Sequence, residues 1–337
     1  MFIGNGALGR RDALALMAAA AIAGSLPRTV FAAGAFCPAL AFDAGGADDG
    51  GFNHAAIVGA DRFKAETGID YLKADVGDGA REAGLRDLAD RGATSIVAVG
   101  FVFADALKAV AAAFPQVQFT LIDALANGPN ILSVTMREQE GTFLVGTLAA
   151  LASKTAKIGF IGGQNVPLIQ KFAAGYKLGA LRVDPRMTVL EAYIGTDATA
   201  WRNPQQGGVL AGRMFDEGAD VIFAAAGGSG IGVYETAHQR GRLAIGVDAN
   251  QNGLFPGTML TSMEKRVDVV VYRTFKAAQT GTWLPGALSL GLANGAVGWA
   301  LDENNRALVT AAMEKRVNLL AQDVVSGRIR VSDYGAR

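Results

Sequence analysis

The sequence has little cysteine and histidine, and neither sign of charge is in excess. Cys37 is the single cysteine, and His54 and His238 are the two histidines, among 337 residues. Because there is no H-E-x-x-H, C-x-x-C or Cys/His cluster, we expect no metal site, no cofactor and no Cys/His catalytic pair. Lys plus Arg and Asp plus Glu number 31 each, and no basic stripe is present, which argues against a nucleic-acid partner.

Long hydrophobic runs are also scarce. The apolar run over residues 13–26 follows Arg10-Arg11 and precedes a small-x-small site, Val30-Phe31-Ala32. The run is too short for a comfortable membrane span and is typical of an export signal. We predict a twin-arginine signal peptide over residues 1–33, cleaved near Ala32/Ala33, and a periplasmic mature protein. An ordinary secretory signal and an ordinary N-terminal helix are the alternatives.

The single cysteine lies just after the predicted cleavage site. A lipidated cysteine would stand near this position in a lipoprotein. However, Phe36 precedes Cys37, where a small residue would be expected. We therefore interpret Cys37 as a structural or free thiol.

What the chain has is glycine and alternating apolar segments. Half of its residues are hydrophobic and 44 are glycine, which is typical of an α/β protein with large buried sheets. Continuous apolar strands favour parallel sheets that are covered on both faces. The predicted strands are 38–42, 69–73, 95–99, 117–122, 131–135, 157–161, 189–193, 221–225, 243–247, 259–263 and 288–292. The predicted helices are 55–67, 80–91, 104–114, 166–181, 205–215, 231–240, 267–278 and 304–325.

The loop after the first predicted strand has an unusual composition. Residues 42–53, F-D-A-G-G-A-D-D-G-G-F-N, contain acids, glycines, one further aromatic ring and an amide, but no Lys or Arg. The loop has neither a G-x-G-x-x-G nor a G-x-x-x-x-G-K-[ST] phosphate motif. Since ligands bind at the carboxyl ends of strands in α/β sheets, this composition suits a small polar molecule with a flat ring. A solvated Gly/Asp turn is the alternative.

Polar residues also follow several later strands. They are Asp123 and the segments 162–165, 227–230 and 248–251. Each alone is explained as well by capping of the next helix. Together with the loop over residues 42–53, they favour one shared cleft between two βα lobes, joined near residues 133–141 without a long linker.

Eight motifs in a fixed order resemble one known family. They are Phe52-Asn53, Val99-Gly100-Phe101, Arg137-Glu138-Gln139-Glu140-Gly141, Lys157-Ile158-Gly159-Phe160-Ile161-Gly162-Gly163, Gly218-Ala219-Asp220-Val221-Ile222-Phe223, Ala226-Gly227-Gly228-Ser229-Gly230, Gly246-Val247-Asp248 and Ser262-Met263-Glu264-Lys265-Arg266-Val267-Asp268. The chain resembles the basic membrane protein family of solute-binding proteins, which includes the purine nucleoside receptors of ABC importers. The resemblance runs from about residue 39 to residue 299.

The resemblance implies a type I periplasmic-binding-protein fold. This is an α/β fold of two Rossmann-like lobes with parallel sheets, joined by a three-stranded hinge. Lobe one would comprise residues 34–134 plus 262–284, and lobe two residues 135–261 plus 285–337. The implied protein is not an enzyme. It is a monomeric solute-binding protein with a nucleoside-like small-molecule ligand and an ABC permease in the inner membrane as its partner.

The resemblance also implies roles for individual residues. Phe52 would stack on the purine, with a core phenylalanine at a helix start as the alternative. Asn53 and Asp123 would bind the edge of the base, because an amide donates and accepts while a carboxylate accepts. Asp248 and Lys265 would bind the ribose as a pair, with a hinge salt bridge that binds no ligand as the alternative.

Four further residues complete the implied site. Gly227 and Gly228 would let the backbone approach the sugar, since glycine has no side chain. Asp43 would contribute at the base or the floor of the cleft. Trp201 would cover the other face of the base.

Two positions depart from the family pattern, and two other functions stay open. Gly51 stands where the family usually has Ser, and Asn203 stands where it usually has Asp before Pro. The alternative functions are a ligand sensor that presents its solute to a membrane receptor and a Rossmann-like enzyme.

Overall fold

The computed structural model of the protein describes residues 36–42, 46–47, 49–77 and 79–332. The predicted signal peptide, residues 1–33, and Asp43 lie outside these described residues. Within them, no helix has the length and apolarity that a membrane span requires.

Strands and helices alternate along most of the described chain. The strands are β1 (Pro38–Phe42), β2 (Leu72–Asp75), β3 (Ser95–Val99), β4 (Gln118–Ile122), β5 (Ile131–Met136), β6 (Lys157–Gln164), β7 (Thr188–Gly195), β8 (Val221–Ala225), β9 (Leu243–Asp248), β10 (Met259–Lys265), β11 (Gly286–Leu290) and β12 (Val297–Trp299). The α-helices are α1 (Phe52–Thr67), α2 (Arg81–Asp90), α3 (Ala104–Ala113), α4 (Glu138–Ala152), α5 (Pro167–Val183), α6 (Pro204–Asp216), α7 (Gly230–Gln239), α8 (Val267–Gln279) and α9 (Ala311–Val325).

The strands form two sheets of six. The first has the order β11-β5-β4-β3-β1-β2, and all of its pairs are parallel. The second has the order β12-β10-β9-β8-β6-β7 and is parallel except where β12 pairs with β10. Every residue of β1, β3 and β8 is buried, as expected for strands covered on both faces. The predicted α/β fold with two mostly parallel sheets is therefore confirmed.

Each sheet has its own helices. Lobe one is here the first sheet with α1, α2, α3 and α8, because α8 packs on α1 and β3. Lobe two is the second sheet with α4, α5, α6, α7 and α9. Within lobe two, α4 and α5 approach closely: a Cβ added to Gly146 would lie 2.0 Å from the carbonyl oxygen of Tyr176. Glycine at this position therefore sets the spacing of the two helices.

The chain passes between the sheets three times. The family resemblance implies that residues 262–284 belong to lobe one and residues 285–337 to lobe two. Sheet membership instead places all of β10 in lobe two and β11 in lobe one. We infer that the crossings lie near Arg137, Arg266 and Gly291. They are joined by hydrogen bonds: the Arg137 N–H donates to Leu290 O at 2.7 Å, and the Arg266 N–H donates to Ala296 O at 2.8 Å. The three crossings therefore form one connected hinge.

Candidate functional site

A cleft lies between the two lobes at the carboxyl ends of their strands. It holds about 690 Å³ of empty space, a volume that includes open solvent at its mouth. Lobe one contributes Asp49, Phe52, Asn53, Gly100, Phe101 and Asp123 to its wall. The opposite wall consists of Leu168, Ile169, Phe172, Trp201, Ala225, Gly227, Val247, Asp248 and Lys265. Most of the predicted site residues thus meet in one cleft; Gly228 does not line it.

Asp49 holds the start of α1 in place. Its carboxylate accepts hydrogen bonds from the backbone N–H groups of Gly51 at 2.9 Å, Asn53 at 3.0 Å and His54 at 3.0 Å. A carboxylate at a helix N-terminus satisfies unpaired N–H groups and complements the helix dipole. Part of the acidic loop is therefore structural, and it fixes Phe52 and Asn53 at the cleft.

Asn53 offers a buried acceptor to the cleft. Its side chain is 2 % exposed, and Nδ2 donates to Gly46 O at 2.8 Å. Its Oδ1 is buried without a hydrogen-bond partner. Since an unsatisfied buried acceptor costs about 1–3 kcal/mol, a ligand donor at this point would recover that energy.

Aromatic rings form much of the wall. The Lys265 ammonium lies 4.8 Å from the ring centroid of Phe52 and 5.7 Å from that of Phe172, which come from different lobes. Sequence reasoning missed Phe172, because its spacing with Leu168 and Ile169 on α5 is that of an ordinary core face. It also gave Phe101 no role, although Phe101 belongs to one of the family motifs.

Trp201 depends on glycines beneath it. A Cβ added to Gly163 would lie 2.3 Å from Trp201 Cζ3, so only glycine fits under the indole ring. Gly227 lies in the left-handed region at φ +54°, and a Cβ there would be 3.3 Å from the Trp201 carbonyl oxygen. In this structure, Trp201 accounts for the glycines at these positions.

The two departures from the family pattern have different consequences. Asn203 caps α6, since its Oδ1 accepts from the Gln206 N–H at 3.0 Å, and Asn and Asp are equally good at this task. A Cβ on Gly51, by contrast, would lie 3.8 Å from Asp248 Oδ2. A serine at residue 51 would therefore be a neighbour of the Asp248 carboxylate, and glycine leaves that space to the cleft.

Asp123 and Asp248 share a rare backbone conformation. Asp123 follows β4 with φ +74° and Asp248 ends β9 with φ +67°. Positive φ is uncommon outside glycine, although Asp and Asn tolerate it better than other residues. Such conformations cluster at functional sites. The two aspartates therefore mark equivalent positions on the two lobes.

The ion pairs of Lys265 are not with Asp248, and the implied ribose-binding role of these two residues stays a prediction. Lys265 Nζ instead lies 2.5 Å from Asp123 Oδ2 and 3.1 Å from Glu138 Oε1. The reason is the hinge: β10 ends at Lys265 where the first crossing delivers Glu138 at the start of α4. Lys265 is 2 % and Glu138 0 % exposed. Sequence reasoning also missed the role of Glu138, although Glu138 lies in the Arg137–Gly141 motif.

Burial and crowding shift the acids and the base in opposite senses. Burial raises the pKa of Asp248 to about 7; Lys265 opposes this, while Asp49, Asp123 and Glu138 add to it. The pKa of Asp123 is likewise raised by burial, against the attraction of Lys265. Burial would lower the pKa of Lys265, but Asp123, Glu138 and Asp248 outweigh it and raise that pKa. The ammonium therefore stays charged among carboxylates.

These features define what the cleft can bind. It combines flat aromatic walls with acceptor oxygens, and the second oxygen of Asp123, Oδ1, is also buried without a partner. Such a site suits a flat ligand that carries several hydrogen-bond donors. Among the described residues, no cluster of His, Cys, Asp and Glu could hold a metal ion.

Comparisons with known proteins agree with this fold. Residues 38–333 match the Bmp family, described as ABC transporter substrate-binding protein PnrA-like, and the chain belongs to that family. It is 32% identical over 292 residues to Basic membrane protein A of Borreliella afzelii, covering 84% of this chain and 88% of that protein. It is 31% identical over 327 residues to the CD4+ T-cell-stimulating antigen of Listeria monocytogenes, covering 88% of each.

Solved structures place the fold in the same class. An ABC transporter solute-binding protein from Aeropyrum pernix has a TM-score of 0.81 at 27% identity, covering 90% of this chain and 94% of that chain. One from Conexibacter woesei has a TM-score of 0.71 at 23% identity, covering 89% and 99%. The family resemblance and the predicted fold are confirmed, and the family is one of solute-binding proteins rather than enzymes.

Proposed function

We propose that this protein binds a purine nucleoside, or a related purine-like solute, in the periplasm and delivers it to an ABC permease. The observation that carries the proposal is the composition of the cleft. Aromatic rings from both lobes face it, and two buried acceptor oxygens in it, Asn53 Oδ1 and Asp123 Oδ1, have no partner. A purine has a flat ring and donor groups at its edge, and a ribose adds hydroxyl donors.

Each part of the ligand has a counterpart in the wall. The base stacks on Phe52 and Phe172, which is worth about 1–3 kcal/mol per ring in comparable contacts. Its edge donates to Asn53 and Asp123. The sugar hydroxyls donate to Asp248, which accepts best when it is ionised.

Charge excludes phosphorylated relatives of the ligand. Lys265 is the single cation in the described wall of the cleft, and Asp123 and Glu138 already neutralise it. Two like charges about 4 Å apart repel by roughly 4 kcal/mol at an effective dielectric of 20. A phosphate near Asp123 or Asp248 is therefore unfavourable, and nucleotides bind far more weakly than nucleosides.

Binding favours closure of the lobes. Contacts to the solute come from both walls, so a closed form makes more of them than an open form. The loop before α1 already touches lobe two, since Gln251 Nε2 donates to Gly50 O at 3.1 Å. This contact lies where the cleft would shut over a solute.

A ligand panel tests the proposal. Thermal unfolding of the mature protein is measured with nucleosides, free bases, sugars and nucleoside 5′-monophosphates at matched ionic strength. At least one purine nucleoside is expected to raise the melting temperature, and small-angle scattering should then show compaction with the same compound. Stabilisation by sugars but by no purine, or tighter calorimetric binding of a monophosphate than of its nucleoside, would contradict the assignment.

A further inference from the structure

A buried row of four alternating charges crosses the hinge. Asp123 Oδ2 contacts Lys265 Nζ at 2.5 Å, Lys265 Nζ contacts Glu138 Oε1 at 3.1 Å, and Glu138 Oε2 contacts Lys171 Nζ at 2.7 Å. We call these four residues the hinge row. Asp123, Lys265 and Glu138 are each at most 4 % exposed, whereas Lys171 is 23 % exposed. Two acids and two bases make the row neutral as a whole.

The row is divided unevenly between the lobes. Asp123 follows β4 in lobe one. Lys265 ends β10, Glu138 begins α4 and Lys171 lies on α5, so these three belong to lobe two. The three lobe-two charges sum to one positive charge, which faces the single negative charge of Asp123. The ion pair between Asp123 and Lys265 thus joins the two lobes, and Lys171 Nζ also donates to Met136 O, at the end of β5 in lobe one, at 3.2 Å.

Opening of the cleft would separate Asp123 from Lys265. A buried ammonium that loses its only partner is strongly disfavoured, because desolvation is no longer compensated. Lys265 keeps Glu138 when Asp123 moves away, since both lie in lobe two. The Glu138 carboxylate is held between the ammonium groups of Lys265 and Lys171.

We propose that Glu138 is a positioning residue that remains the counterion of Lys265 in both the open and the closed form. Glu138 and Lys171 together then set how strongly lobe two attracts Asp123. The hinge row then balances the open and closed forms in the absence of a solute. This inference rests on the hinge closure in the proposed function, but it does not depend on the identity of the ligand.

Two charge-removing variants have opposite predicted effects. Glu138→Gln leaves two positive charges in lobe two facing Asp123, so the ligand-free protein should shift toward the closed form. Lys171→Met leaves no net charge there, so it should shift toward the open form. Each shift is expected to change the closed-to-open ratio by about tenfold, the size expected for one charge at an effective dielectric near 20.

The measurement is small-angle scattering of the ligand-free, full mature protein. The radius of gyration should fall for Glu138→Gln and rise for Lys171→Met. If the ligand-free wild type is mostly open, Glu138→Gln can still close it; if it is mostly closed, Lys171→Met can still open it. Asp184→Asn is the control: Asp184 directly follows α5, the helix that holds Lys171, and its carboxylate pairs with Arg186 at 2.9 Å rather than with the hinge row. Its radius of gyration should equal that of the wild type.

The sign of the change in radius of gyration distinguishes a shift of the open-closed equilibrium from unfolding of a variant. If Glu138→Gln does not fold, Lys171→Met still carries the test, because its side chain reaches the surface. A shift of both variants in the same direction, or radii of gyration equal to that of Asp184→Asn, would overturn the inference. Failure of the proposed function is a separate result: the wild type would then not compact with any purine nucleoside.

Discussion

Replacing Asp248 with asparagine should stabilise the ligand-free protein at high pH. Asn keeps the size of the side chain and tolerates the left-handed backbone at φ +67°. A carboxyl whose pKa is raised in the folded state binds its proton more tightly there than in the unfolded chain. The folded state is therefore favoured when Asp248 is protonated, and it loses stability as the pH rises from the ordinary pKa of 3.8 to about 7.

The size of the effect follows from the shift. A difference of about three pKa units corresponds to about 4 kcal/mol when the group is fully ionised. Asp248 is partly open to the solvent of the cleft, so this value is an upper limit. We expect Asp248→Asn to be more stable than the wild type by about 1–4 kcal/mol at pH 8. Below pH 4 the difference should vanish, because both side chains are then neutral.

The assay is urea denaturation without ligand between pH 4 and pH 8.5. Asp302→Asn is a control of opposite sign, because hydrogen bonds from Asn250, Asn304 and Asn252 outweigh burial and lower the pKa of Asp302. That variant should lose stability at pH 8. An Asp248→Asn protein less stable than the wild type at pH 8, or a gain independent of pH, would refute the reasoning. The same variant should bind a nucleoside more weakly, since stability and ligand binding compete at this residue.

Two further substitutions test the aromatic wall. Phe52→Ala should weaken nucleoside binding by about 5- to 150-fold, the loss of one stacking contact, whereas Phe52→Tyr should keep most of the affinity in calorimetry. If Phe52→Ala binds with unchanged affinity, Phe52 does not stack on the ligand. Gly163→Ala would place a Cβ 2.3 Å from Trp201 Cζ3 and should displace the indole, which a shift in tryptophan fluorescence and weaker binding would report. An unaltered emission spectrum would mean that the backbone adjusts instead.

Most strands were predictable because strands buried on both faces consist of continuous apolar residues. Both faces of β3 and β8 are buried, so their apolar runs match the observed bounds. By contrast, α4 was not predicted. Eleven of its fifteen residues are buried, so no polar face exists to produce a helical period. The last helix begins at Ala311 rather than near residue 304, because the preceding turns are held by Asn305, which donates to Leu260 O at 2.9 Å.

The candidate site was predictable in location but not in pairing. Asp123 and Asp248 follow apolar runs, and the rule that ligands bind at carboxyl ends of strands was enough to place them in one cleft. The partner of Lys265 depends on how the first and second crossings meet in space. No local sequence pattern predicts this tertiary contact. Glu138 could therefore be recognised as part of a family motif but not as a partner of Lys265.

The edge strand β11 has a consequence for synthesis of the chain. It pairs in parallel with residues 132–136 of β5, and Thr135 Oγ1 donates to Leu288 O across 153 residues of sequence. Ribosomes add roughly 5–20 residues per second, so β5 waits about 8–30 s for its neighbour. During this interval the growing chain presents an unpaired strand edge, which is a known aggregation hazard. Lobe one therefore cannot reach its native form until translation is almost complete, and its folding must follow synthesis rather than accompany it.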